Sequence, residues 1–307
     1  MPFVDSPVTV TVPATSANLG PGFDSLGVAL ARHDTVTARL GGHGVRVRVS
    51  GEGAGELPPD ERHLVASAML ATFAQLGHQP DGLELSCQNE IPQARGMGSS
   101  SAAIVAGVLL ARQLVADGPA RLDQAAVIRL AAGIEGHPDN VAPCVLGGFT
   151  IAWTPAAEAG PGGARALRIT DAHGIGPVIF VPGQRAYTAA ARAVLPAAVP
   201  LADAAFNVAR TALLIRALTG APELLLEATE DRLHQGYRAA AMPETAKLVA
   251  ALRERGAAAV VSGAGPSVLV LAPDGPDLAQ EVLSACPDGW WAAAVAVDGH
   301  GAQVAAG

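Results

Sequence analysis

The sequence predicts a two-domain α+β protein, and three observations carry that prediction. Strand-like alternation and helix-spaced apolar positions follow one another in both halves of the chain, a pattern of neither a β-sandwich nor a helix bundle. Gly160-Pro161-Gly162-Gly163 is the clearest turn signal, so residues 1–158 and 159–307 are expected to form separate units. The chain has 307 residues, 50% of them hydrophobic, which is enough for one large or two ordinary cores.

The elements read as follows. Val8-Thr9-Val10-Thr11-Val12 alternates as a half-buried strand does, and residues 34–40 and 44–50 follow suit. Residues 61–77 place apolar side chains at helical spacing and end at Gly77. A strand over 82–89 leads to a glycine- and serine-rich loop, then to an alanine-rich helix ending near Leu114. A helix over 122–133 and a strand over 147–153 complete the first half. The second half predicts strands at 165–170, 177–182, 257–262, 267–272 and 290–297. Its helices fall near 187–194, 201–219, 243–255 and 276–285.

Composition narrows the function. The net charge is −8 and the charges are scattered, so the basic stripe of a nucleic-acid binder is missing. Cys87, Cys144 and Cys286 lie far apart without Cys-x-x-Cys spacing, which argues against a structural zinc and for a reducing compartment. The longest apolar runs, 102–111 and 291–297, are too short to span a bilayer. No basic segment followed by an apolar one opens the chain, so a cytoplasmic protein without a membrane partner is expected.

Residues 91–103, Ile-Pro-Gln-Ala-Arg-Gly-Met-Gly-Ser-Ser-Ser-Ala-Ala, carry the strongest chemical signal. A tight loop feeding a helix N-terminus presents unpaired N–H groups and the positive end of the helix dipole, which suits a phosphate. Gly96 and Gly98 let the backbone come close, while Ser99, Ser100 and Ser101 offer hydroxyls. The plain alternative is a helix start with a serine cap. A Walker A loop is excluded because the only lysine is Lys247, and a dinucleotide fingerprint because Ser101 stands where its third glycine belongs. Gly98-x-Ser100-x-Ala102 comes near a hydrolase elbow. However, His137 and Asp139, two residues apart, are expected not to align with one another and with Ser100.

Three further groups stand out. Asn18 and Asp24 sit in the turn-rich segment Pro13–Asp24, where they could serve a ligand or simply brace the turn. Glu135-Gly136-His137-Pro138-Asp139-Asn140 places a carboxylate suited to Mg²⁺ near groups able to hold a hydroxyl substrate. Arg192 and Arg238 could each grip a carboxylate bidentately. A last glycine-rich turn, Gly263-Ala264-Gly265, lies between two predicted strands.

In this order, the pieces resemble the GHMP small-molecule kinase superfamily, and within it the homoserine kinases. The most specific stretch is Pro13-Ala-Thr-Ser-Ala-Asn-Leu-Gly-Pro-Gly-Phe-Asp-Ser-Leu-Gly27, and the likeness runs through Ile91–Ala103, Glu135–Gly148 and Ser262–Ser267. The resemblance implies a two-domain GHMP kinase fold: an N-terminal domain like domain 2 of ribosomal protein S5, then a ferredoxin-like domain, with the active site between them. It implies transfer of a phosphoryl group from ATP to L-homoserine, with Mg²⁺, on the way to threonine. Pro92, Arg95, Gly96, Met97, Gly98, Ser99, Ser100 and Ser101 would bind ATP, with Ser100 and Glu135 on the metal. Asn18, Asp24, His137, Arg192 and Arg238 would bind the substrate, with Asp24, Asn140 and Arg192 closest to the chemistry. Three positions depart from the family pattern: Met97 replaces a leucine, Ser101 adds a third serine, and His63 replaces an asparagine near the adenine. Oligomeric state is left open, a homodimer being one option.

Overall fold

The computed structural model describes residues 2–156, 158, 160–186, 188–273 and 276–305. Its first sheet is built around β1 (Val8–Ala17) and β2 (Leu26–Leu40), which pair antiparallel along their length. β1 alternates only at its start; beyond Val12 it is buried on both sides, as a strand between layers must be. The ladder shifts register between Pro13 and Ala14, where the proline has no N–H to donate. β1 thus runs past the expected Val12 and delivers the Asn18–Asp24 turn to one end of the sheet.

β3 (Gly44–Gly51) and β4 (Gly82–Asn89) lie parallel, joined by a crossover that holds the helix Leu64–Gln75. β5 (Phe149–Trp153) and β6 (Arg165–Arg168) extend the sheet from β2. Helices Leu64–Gln75, Ser99–Leu114, Gln124–Glu135 and Val141–Leu146 close the core, with Phe73, Met69, Ile104 and Leu110 fully buried.

The second sheet runs in the order β10-β7-β9-β8, from β7 (Ile175–Pro182), β8 (Ala258–Val261), β9 (Val268–Pro273) and β10 (Trp290–Ala294). It is covered on both faces, as alternate residues show. Ile179, Val181, Val260 and Leu269 join the main core with helix Leu201–Leu218. Val178, Phe180, Ala259 and Val270 form a second core with Leu248 and Leu252 of helix Pro243–Glu254. The two sheets therefore share one continuous core.

β6 lies beyond the Gly160–Gly163 turn, and β11 (Gln303–Ala305) returns from the end of the chain to pair with β1. The first sheet thus takes strands from both sides of the expected 158/159 division, whereas the second is wholly C-terminal. β11 and the short helices Val141–Leu146 and Gln235–Arg238 carry too few residues for a period to be read from sequence.

Candidate active site

The helix Ser99–Leu114 begins at Gly98 in the left-handed region (φ 68°), and no side chain caps it among the described residues. Its first turn also lacks an acidic residue. The terminal N–H groups therefore stay open to a ligand, with the dipole's positive end behind them. Glycine is required here, since a Cβ on Gly98 would fall 1.8 Å from the Thr15 hydroxyl oxygen. Gly96 is equally confined, because a Cβ there would lie 2.4 Å from the Ser262 carbonyl oxygen.

This terminus opens into a cavity of ≈ 350 Å³ that brings together residues from all the segments singled out in the sequence. Asn18, Asp24, Gly96, Gly98, Ser99, Ser100, Glu135, His137, Asn140, Arg192 and Arg238 all line it. Glu135 ends the helix Gln124–Glu135, and Gly136, at φ 96°, turns the chain so that His137 faces the same space. The Ser100 hydroxyl donates to Glu135 Oε2 at 2.7 Å. Two oxygen donors so placed fit Mg²⁺, which takes one or two protein oxygens and completes its shell with phosphate and water. Among the described residues no cluster of three or more His, Cys, Asp or Glu could hold a metal alone.

On the opposite wall, Arg192 of the helix Thr188–Ala193 engages both oxygens of Asp24. The Asp24 bond raises the Arg192 pKa against a smaller lowering by burial. Arg238 is buried, with its guanidinium on the carbonyls of Ala191 (3.1 Å) and Gly263 (3.2 Å) and on His234 Nδ1 (2.9 Å). Burial pulls its pKa down, and Asp24 opposes the shift. Arg192 and Arg238 both lie over the ring of Phe23, a neighbour that the sequence did not single out. Asn18 accepts from Asp24 N–H at 3.0 Å and donates to the Gly263 carbonyl at 2.9 Å, so its amide braces the turn as well as lining the cavity.

His137 and Asp139 meet, with Nδ1 2.8 Å from Oδ1, but the joint alignment with Ser100 that the spacing is expected to prevent is not formed. The chain bends at Pro138, between the two residues. A hydrolase triad still does not form, because Ser100 is bonded to Glu135. Burial alone would lower the His137 pKa, but the Asp139 hydrogen bond and the charges of Asp139, Glu135 and Asp24 raise it above the usual histidine value. Asn140 accepts from the Thr15 hydroxyl at 2.8 Å, another partner not legible beforehand.

Four expected ATP contacts do not line this cavity. Pro92 and Met97 are buried behind the loop. Ser101 is buried too, and its hydroxyl has no partner among the described residues. The Arg95 guanidinium reaches the carbonyls of Pro182 (2.9 Å), Gly183 (3.0 Å) and Gln93 (3.2 Å). A second, mostly apolar pocket of ≈ 210 Å³ shares Ala94, Ser99 and Ser100 with the first. Val12, Val36, Leu57 and His63 line it. His63 caps the helix Leu64–Gln75 through Nδ1, while its buried Nε2 has no hydrogen-bond partner among the described residues.

An open helix terminus and an oxygen-ligand pair beside an amino-acid-sized charged pair describe a small-molecule phosphotransferase. Comparison with known families agrees: residues 63–148 match the GHMP kinases N terminal domain, and residues 209–290 match the GHMP kinases C terminal domain. The chain belongs to the GHMP kinases. Among its relatives, the homoserine kinase of Streptomyces avermitilis is 52% identical over 97% of this chain and 95% of the relative. That of Clavibacter michiganensis is 53% identical over 97% of this chain and 93% of the relative. The crystal structure of homoserine kinase from Cytophaga hutchinsonii superposes with a TM-score of 0.83 at 26% identity, covering 98% of each chain.

Proposed function

We infer that the chain transfers the terminal phosphoryl group of ATP to the side-chain hydroxyl of L-homoserine, giving O-phospho-L-homoserine. The single observation that carries this reading is the cavity itself. It joins an uncapped helix terminus and the Ser100–Glu135 pair to the Asp24–Arg192 pair, within a volume suited to a small amino acid.

The open amides of residues 98–100 receive the β- and γ-phosphates, and the helix dipole favours their charge. The adjoining apolar pocket takes the base, with His63 on its wall; its Nδ1 accepts from Val65 N–H, which leaves the unpartnered Nε2 as the ring's donor. Ser100 and Glu135 would hold Mg²⁺, which when bound neutralises charge across the phosphates. Asp24 receives the substrate ammonium, and Arg192 its carboxylate. Arg238 frames this wall from behind. Asn140 and His137 orient the hydroxyl for in-line attack. Phosphoryl transfer passes through a loose transition state, so positioning and charge neutralisation supply most of the acceleration. Asp24 is a poor base while it holds a cation; in a loose transition state the hydroxyl proton leaves late and would pass to an oxygen of the transferred phosphoryl group.

A coupled ADP-release assay tests the reading, with homoserine run against serine, threonine and water. Turnover should require homoserine. Equal ADP release with water, or a clear preference for another alcohol, would overturn it.

A further inference from the structure

Arg95 lies in the phosphate loop, yet its side chain leaves the cavity and crosses to the second sheet. Its planar fork bonds the carbonyls of Pro182 and Gly183, where β7 ends, and that of Gln93 in its own loop. The side chain is only 16% exposed and serves three carbonyls, which is not the disposition of a solvated surface arginine. Two main-chain bonds repeat the connection: Ala186 N–H donates to the Ala94 carbonyl at 2.7 Å, and Ser267 N–H to the Arg95 carbonyl at 3.3 Å.

What leaves β7 gives this clasp its meaning. The segment held at Pro182, Gly183 and Ala186 continues into the helix Thr188–Ala193, which carries Arg192 to Asp24. One face of the clasp is therefore the loop that would hold the phosphates, and the other is the root of the arm that would hold the substrate's carboxylate.

We propose that Arg95 is a positioning residue that couples the phosphate loop to Arg192, setting the reach of that arginine toward the amino-acid substrate. Arg95 touches neither ligand. It fixes the distance between two backbones that each carry one. A shift of the loop on taking up phosphate is passed through the guanidinium to the end of β7. The proposal rests on the homoserine kinase reading above.

The test is a double-mutant cycle on steady-state kinetics, with wild type, Arg95→Ala, Arg192→Ala and the double variant. Arg95→Ala should raise the homoserine KM about tenfold, the loss expected for charge-assisted bonds, and the ATP KM by much less. In the Arg192→Ala background the same change should add less than about twofold, because coupled residues are not additive. Arg95→Lys keeps the charge but not the planar fork, and should raise the homoserine KM about threefold. It decides the matter if Arg95→Ala does not fold. An unchanged homoserine KM, an effect confined to the ATP KM, or the full tenfold rise on top of Arg192→Ala would each overturn the coupling. A wild type that releases no ADP with homoserine would instead overturn the functional reading, and this inference with it.

Discussion

Arg192 meets Asp24 across 168 residues of sequence, each terminal nitrogen of the guanidinium on one carboxylate oxygen. The two groups therefore neutralise one another when no zwitterion lies between them. An α-amino acid carries the complementary charges, so it can exchange both ends of the pair at once without leaving a bare charge in the cleft. That exchange favours an amino acid over a neutral alcohol. Asp24→Asn should raise the homoserine KM by about tenfold or more, as loss of a charge-assisted bond does, with a smaller change in kcat. Steady-state kinetics decide it. A collapse of kcat at unchanged KM would make Asp24 the proton acceptor.

The two arginines should separate in the same experiments. Arg192 is 48% exposed, and a pair so open to solvent adds little to stability. Arg192→Ala should therefore weaken homoserine binding by about 1.5–3 kcal/mol while the melting temperature barely moves. Arg238 is 2% exposed, and its removal takes the donor from the Ala191 carbonyl and from buried His234 Nδ1, while the Gly263 carbonyl keeps only Asn18. Arg238→Ala should cost about 2–3 kcal/mol of folding stability in addition to its effect on binding. Equal melting temperatures for the two variants would contradict the frame role given to Arg238.

Much of this was legible in the sequence because it depends on local chemistry. Glycines at 96 and 98 followed by serines at a helix start mark a candidate phosphate site, or a plain capped helix start, from that segment alone. Glu135 at a helix end, released by a glycine, is local in the same sense. The parts not legible are those that depend on distant segments meeting. Thr15 reaches Asn140 from 125 residues away, and Arg95 turns from the loop because Pro182 and Gly183 offer it carbonyls. Nothing in the spacing of either segment encodes those partners. The His137–Asp139 pair fell in between: the residues were visible, but the turn at Pro138 decides whether their side chains meet.

Glu135 should prove essential through its charge rather than its shape. Glu135→Gln keeps an oxygen able to accept the Ser100 hydroxyl bond, so the protein should fold normally. It loses the anion that would draw a divalent cation to the phosphates. kcat should fall by about 10²–10³, the range for removing one electrostatic stabiliser, and the Mg²⁺ needed for half-maximal rate should rise. Titrating Mg²⁺ at saturating ATP and homoserine measures both. An unaltered Mg²⁺ dependence would place the metal elsewhere.

Gly98 tests the loop by sterics alone. Gly98→Ala places a Cβ 1.8 Å from Thr15 Oγ1 in a backbone held at φ 68°. The cost should be about 1–3 kcal/mol of stability from strain and overlap. Activity should fall further, since moving Thr15 also releases Asn140. Adding Thr15→Ala should return part of the lost stability but not the activity. Calorimetry and kinetics on the three variants separate those effects, and stability left unrecovered by the second change would point to backbone strain as the whole cause.

Asp34 ties stability to pH just where β4 feeds the phosphate loop. Its carboxylate accepts the N–H groups of Glu90 (2.7 Å) and Ile91 (2.9 Å). Burial raises its pKa from 3.8 to about 6, and those two backbone bonds hold back only part of the rise. The sign is opposite to that of a salt-bridged aspartate. Between pH 4 and 6 the folded protein keeps a proton that the unfolded chain has largely released, so stability falls as pH rises through that window and levels off above about pH 7. Asp34→Asn has no such proton. The stability of wild type relative to the variant should therefore drop by about 2 kcal/mol from pH 4 to pH 6, by a few tenths more up to about pH 7, and then stay constant to pH 8. Urea denaturation of both proteins at unit pH intervals measures the difference. A wild type that gains on the variant over the same window would show that the backbone bonds, not burial, dominate this carboxyl group.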